Sequence, residues 1–105
     1  MRHGVFVVVT AIALAAASAA AASVVTIEIK GIAFPPAKVT AKVGDTVEWR
    51  NRDFVVHTAT ARDGSFDVNL PAGKSGRAVL KKPGKISYYC RFHPNMKGEI
   101  DVTAK

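Results

Sequence analysis

Cysteine is nearly absent from this sequence of 105 residues, which holds only Cys90. A single thiol excludes an internal disulfide framework and any zinc site needing two or more thiolates from this chain. Histidine and methionine are scarce too, at three and two residues. A metal site built from softer donors would have to draw on almost all of them. Acidic residues are in deficit, with 8 Asp plus Glu against 15 Lys plus Arg, and the formal charge is +7. Such a balance points to anionic partners without naming one. Length and a 49% hydrophobic content allow one ordinary domain and exclude two.

Long apolar runs are confined to the start. Met1-Arg2-His3 is a short basic opening, Val5 to Leu14 is almost unbroken hydrophobic sequence, and Ala15 to Ala22 is a tract of small residues. This pattern predicts a secretory signal peptide over residues 1–22, cleaved after Ala22, with cleavage after Ala19 as the alternative. An uncleaved membrane anchor over Val5 to Val25 is the competing reading. It is the weaker one, because the alanine half is poorly lipophilic and resembles a processing site. The expected location is therefore periplasmic or otherwise exported. Cleavage would leave residues 23–105 as the domain, 105 − 22 = 83 residues with a charge of 7 − 1 = +6. A domain this small calls for help from a metal or an assembly once disulfides are excluded. A lone thiol in an oxidising compartment also needs protection, and ligation to a metal would provide it.

Beyond the leader the dominant period is two, that of half-buried strands. Val25, Ile27 and Ile29 alternate with Thr26, Glu28 and Lys30, while Val47 and Trp49 oppose Thr46, Glu48 and Arg50. Further strands are expected around Val39, Val55 to Thr60, Arg77 to Leu80, Lys85 to Cys90 and Gly98 to Thr103, with a helical turn at most between Arg62 and Leu70. Turn signals fall at Gly44-Asp45, Asp63-Gly64-Ser65, Pro71-Ala72-Gly73 and Lys82-Pro83-Gly84. The fold class is all-β, an antiparallel Greek-key sandwich or barrel of about seven to eight short strands. The expected core is Val25, Ile27, Ile29, Val39, Val47, Trp49, Phe66, Val79, Ile86, Tyr88 and Ile100.

The informative segment is Cys90-Arg91-Phe92-His93-Pro94-Asn95-Met96. It carries a thiol, an imidazole and a thioether within seven residues, on a loop that Pro94 keeps out of a helix. Two histidines and a cysteine with a weak axial methionine form the donor set of an electron-transferring copper site. A second imidazole must come from elsewhere. His3 leaves with the leader, so His57, in the apolar run Phe54-Val55-Val56-His57-Thr58, is the one that remains. Taken singly, each residue has a blander role: an inert buried thiol, gap-filling methionine, a satisfied core histidine. Their conjunction uses the only cysteine, both remaining histidines and the only methionine outside the leader.

With these residues in view the sequence resembles the cupredoxins, the small type 1 blue copper proteins, and most closely their amicyanin-like and plastocyanin-like bacterial members. The likeness covers residues 24–103. Besides the ligand loop it rests on Val43-Gly44-Asp45-Thr46-Val47-Glu48-Trp49-Arg50-Asn51, His57-Thr58, Gly64-Ser65-Phe66-Asp67, Lys82-Pro83-Gly84, Tyr88-Tyr89-Cys90 and Met96-Lys97-Gly98. It implies one copper ion, alternating between Cu(I) and Cu(II), held by His57, Cys90, His93 and Met96. It also implies that His57 is buried and that His93, flanked by Phe92 and Pro94, reaches the surface as the electron port. Two features depart from the pattern. Cys90 follows His57 by only 33 positions, which implies a trimmed peripheral segment, and Thr58 stands where asparagine is common. The Thr58 hydroxyl is a candidate bridge to the ligand loop.

The expected function is one-electron transport between redox protein partners, without enzymatic turnover of a small-molecule substrate. Copper storage, delivery or sensing with the same ligands is the alternative. A third reading, Cys90 as a nucleophile with His57 or His93 as base, lacks any sign of an oxyanion hole or substrate pocket. Lys74, Arg77, Lys81, Lys82 and Lys85 cluster around one hairpin; solvation and edge protection explain most of this charge, and steering toward an acidic docking surface is the functional alternative. Nucleic acid is not expected as a partner, since no binding module is recognisable. The chain is expected to be a monomer.

Overall fold

The computed structural model describes residues 2–11 and 21–104. Both expected processing sites, Ala17-Ser18-Ala19 and Ala20-Ala21-Ala22, overlap residues outside that set. Residues 2–11 take no regular structure, and among the described residues no helix is long and apolar enough to cross a membrane.

The alternating segments become eight strands: β1 Val24–Ile29, β2 Lys38–Lys42, β3 Thr46–Asn51, β4 His57–Ala61, β5 Asp67–Leu70, β6 Ser75–Val79, β7 Gly84–Cys90 and β8 His93–Thr103. They form a three-stranded sheet in the order β1-β3-β6 and a five-stranded sheet in the order β2-β8-β7-β4-β5. The all-β sandwich expected from the sequence is present. Its pairing is mixed rather than wholly antiparallel, because β1 runs parallel to β3 and β2 parallel to β8. Period-two alternation marks a strand but carries no information on direction, and here the chain crosses between sheets before returning to pair.

Four local expectations change. No helical turn forms between Arg62 and Leu70; a turn leads directly into β5. The strand expected from Val55 begins only at His57, and Phe54, Val55 and Val56 lie in an exposed loop. Strand β8 starts at His93, not near Gly98, so Cys90 and His93 face each other across a two-residue turn with a bulge beside it. Val79 is exposed; Leu80 and, in part, Ala78 face the core, which shifts the apolar phase of β6 by one residue.

The core lies between the sheets. Trp49 stacks on Phe66 at 5.1 Å and meets Tyr88 edge-on at 5.6 Å, while Phe34 meets the other side of Tyr88 at 4.7 Å. Each such aromatic pair contributes about 0.5–1.5 kcal/mol beyond its buried area. Phe34 and Leu80, from loop segments, and Leu70, the last residue of β5, join the expected core residues. Burial pushes the Tyr88 phenol up to about 12.

On the outer face of β3, Glu48 is covered by Arg50 and Arg77, which donate to its two carboxylate oxygens at 2.6 and 2.7 Å. Those bonds, Arg50's first, hold its pKa below the ordinary 4.5. Asp45 likewise accepts the amides of Ser23 and Lys42, and these bonds hold it below 3.8. Both groups are depressed in the folded state, so the unfolded chain binds more protons as pH falls. Their stabilisation is complete above the unfolded values and is lost as acid reaches the lower folded ones.

Two measurements test this packing. Gly98 lies against the ring of Tyr88, where a Cβ would overlap it; Gly98→Ala is expected to lower the urea unfolding free energy by about 1–3 kcal/mol through overpacking. Glu48→Gln should flatten the loss of stability below pH 4.5, read as unfolding midpoints across an acid series.

Candidate metal centre

The antiparallel pairing of β4 with β7, Thr60 opposite Tyr89 and Ala61 opposite Tyr88, brings two distant parts of the chain together at one end of the sandwich. Strand β4 opens with His57 at that end, and β7 closes there with Cys90. The tight turn into β8 then returns His93 beside Cys90. The ligating atoms of His57, Cys90 and His93 lie within 4.8 Å of one another. Cys90 Sγ is 3.8 Å from His57 Nδ1 and 3.6 Å from His93 Nδ1, and the two rings meet edge-on at 5.0 Å.

Burial separates the roles of the two histidines. His57 and Cys90 are fully buried, whereas His93 is half-buried between exposed Phe92 and Pro94. Met96 is buried and lines a surface depression together with Ile32, Phe92, His93, Pro94 and Asn95. The four residues singled out from the sequence therefore occupy one end of the fold. Three of them converge directly, and the fourth lies under the same surface.

The thiol is held by the backbone. The Thr58 amide donates to Cys90 Sγ at 3.3 Å, and the Thr58 hydroxyl accepts from the Arg91 amide at 2.9 Å. Thr58 thus bridges the His57 strand to the ligand loop, the role for which its hydroxyl was a candidate. The bridge continues outward with a fixed polarity. Asp67 accepts from Thr60 Oγ1 at 2.8 Å, so the Thr60 oxygen is free to accept from the Thr58 hydroxyl at 2.9 Å. Arg91 Nε closes the ring on Asp67 at 3.3 Å. The Thr60 bond, with help from Arg91, holds Asp67 below the ordinary carboxylate value of 3.8 despite partial desolvation.

Two supporting residues escaped the sequence reading. Asn51 is buried, and its side-chain NH2 donates to the carbonyls of Val55 and Leu70 at 2.8 and 3.0 Å, with Pro71 at 3.3 Å. Its Oδ1 accepts the Asp53 amide at 2.9 Å. This clamp bends residues 52–56 into the loop that precedes His57. Asp53, in that loop, accepts from His57 Nε2 at 2.8 Å and from the amides of Gly31 and Ile32 at 2.8 and 2.9 Å. Burial alone would raise the Asp53 carboxyl, but the bonds from Ile32, His57 and Gly31 outweigh it and hold it below 3.8. The only sequence signal was an acid four residues before His57 at the edge of an apolar run.

A carboxylate accepts only, so the neutral His57 ring carries its proton on Nε2 and turns the Nδ1 lone pair toward the thiol. A thiol, two imidazoles and a nearby thioether form a soft to borderline donor set, which suits copper in either common oxidation state.

The cupredoxin-like domain family matches residues 4–102. The chain belongs to the cupredoxin-like family. It is 29% identical to amicyanin of Paracoccus denitrificans over 93 residues, which span 74% of this chain and 64% of that protein. The cupredoxin chain thus covers less than two thirds of that relative's length. Amicyanin-alpha of Methylorubrum extorquens is 31% identical over 82 residues, 72% of this chain and 69% of its own. Among solved structures, a purple cupredoxin from Nitrosopumilus maritimus superposes with a TM-score of 0.66 at 28% identity, covering 75% of this chain and 99% of that one. Copper is the cofactor of this family, and the donor cluster of this cupredoxin fits it.

The Thr58 bridge can be tested without metal. Thr58→Val keeps the side-chain shape but leaves the Arg91 amide without its acceptor, and should cost about 1–3 kcal/mol of stability. Faster hydrogen exchange at the Arg91 amide is the expected signature, and an unchanged rate would contradict the bridge.

Proposed function

We propose that this cupredoxin is an exported one-electron carrier in which His57, Cys90, His93 and Met96 hold a single copper ion. The observation that carries the proposal is the convergence of two imidazole Nδ1 atoms on one buried sulfur, at 3.8 and 3.6 Å. Bound copper supplies a one-electron couple; one electron arrives from a reduced protein partner and leaves to an oxidised one, and no substrate bond is made or broken.

The chain's own residues account for the remaining requirements. Strands β4, β7 and β8 hold His57, Cys90 and His93 in a rigid frame, which limits rearrangement when the charge changes. The Thr58 amide directed at Cys90 Sγ stabilises negative charge on the sulfur. Burial of His57 and Cys90 excludes water and shields the thiol from oxidation. His93, half-buried among Phe92, Pro94 and Met96, is the route by which an electron would reach the surface. Redox proteins are the proposed partners. The surplus of basic residues favours partners with acidic docking surfaces, and the leader, removed on export, favours a periplasmic location.

The depression beside His93 is shallow and mostly apolar, a shape that suits docking against a protein partner.

Purification with copper and a visible spectrum provide the test. The cupric protein should be intensely coloured through its Cys90 thiolate, and Cys90→Ser should abolish that absorption; an equally coloured variant would refute the ligand set. Met96→Gln should retain copper and lower the reduction potential, since an amide oxygen favours the cupric ion more than a thioether does. Rapid electron self-exchange is expected of the wild type, and slow exchange would favour copper storage or delivery instead.

A further inference from the structure

We infer that Asp53 is a positioning residue of the metal centre, which orients His57 toward the ion and biases the centre toward its cupric state. The inference rests on the copper reading above and adds a residue to it. Three donors converge on this carboxylate: His57 Nε2 at 2.8 Å, the Gly31 amide at 2.8 Å and the Ile32 amide at 2.9 Å. Among the described residues no Lys or Arg pairs with it, so its charge is directed at the His57 ring.

The backbone has been shaped to serve this carboxylate. Gly31 and Ile32 both adopt left-handed conformations, with φ of 65° and 54°. For a β-branched residue such as Ile32 that is a strained geometry. The N–H groups of these two successive residues face one concavity, which holds the carboxylate. Asp53 fills that concavity, and the strain at Ile32 is retained because both amides find their acceptor there.

The same contact reaches the other side of the centre. The Ile32 side chain lines the depression shared by Phe92, His93, Pro94 and Met96. One carboxylate therefore fixes the buried imidazole and also holds a segment that borders the same depression as the exposed one. A backbone carbonyl would satisfy His57 Nε2 equally well as a hydrogen-bond acceptor. A carboxylate adds a negative charge, which raises the basicity of Nδ1 and favours the more highly charged metal ion.

Asp53→Asn removes the charge and keeps one oxygen, which can still accept from His57 and Ile32 as Oδ2 does, at the cost of the Gly31 bond to Oδ1. In the copper-loaded full chain, the ratio of cuprous to cupric protein at fixed ambient potential should rise about tenfold, equal to a rise of about 59 mV for a one-electron couple. Asp53→Glu, which keeps the charge, should shift the ratio less. An Asp53→Asn protein with wild-type fold and unchanged potential overturns the inference. A second readout needs no metal: 15N NMR of the wild-type apoprotein should find the His57 proton on Nε2 and the Gly31 and Ile32 amides protected from exchange. A proton on Nδ1 overturns the inference even if Asp53→Asn fails to fold. If the wild type takes up no copper, the functional reading fails on its own, and the Nε2 tautomer still decides whether Asp53 positions His57.

Discussion

One hydrogen bond joins the halves of the metal centre: the Thr58 amide to the sulfur of Cys90. It exists because β4 lies beside β7 in a single register, with Thr60 opposite Tyr89. A slip of one residue would turn every side chain of β4 to the opposite face. His57 would then leave the cluster, and Thr58 would take its inward place. The aromatic packing of Trp49, Phe66 and Tyr88, together with the close approach of Gly98 to Tyr88, anchors β7 against the core and against β8. In this sense the hydrophobic core specifies the metal centre before any ion arrives.

Around that bond the polar groups form two separate supports. On one side, Thr58, Thr60, Asp67 and Arg91 close a ring in which each hydroxyl can donate in only one direction. On the other, Asn51 bends the loop that delivers Asp53 to the back of His57. Both supports end on carboxylates held in their ionised form. Buried polar networks of this kind contribute to specificity because an incompletely satisfied alternative leaves amides and carbonyls unpaired.

The donors were legible in the sequence because they are scarce: with one cysteine and two histidines outside the expected leader, few assignments exist. Strands were legible wherever alternation was clean, as in β1 and β3. Direction was not, since a parallel and an antiparallel strand share one pattern, and the parallel pairs β1–β3 and β2–β8 follow from crossovers between sheets. The apolar run before His57 suggested a longer strand, yet Asn51 takes the loop carbonyls and holds Phe54, Val55 and Val56 out in solvent. Asp53 and Asn51 were hidden for a related reason. The contacts that hold them in place reach residues 19 to 22 positions away, which composition and spacing do not encode.

The exposure of that loop has an energetic consequence. Phe54 is 100% exposed on a segment already fixed at both ends, by Asn51 before it and His57 after it. Most of the ordering entropy has therefore been lost before anything binds. A surface that covered the Phe54 ring would recover about 1.5–3 kcal/mol of hydrophobic free energy with little backbone adjustment.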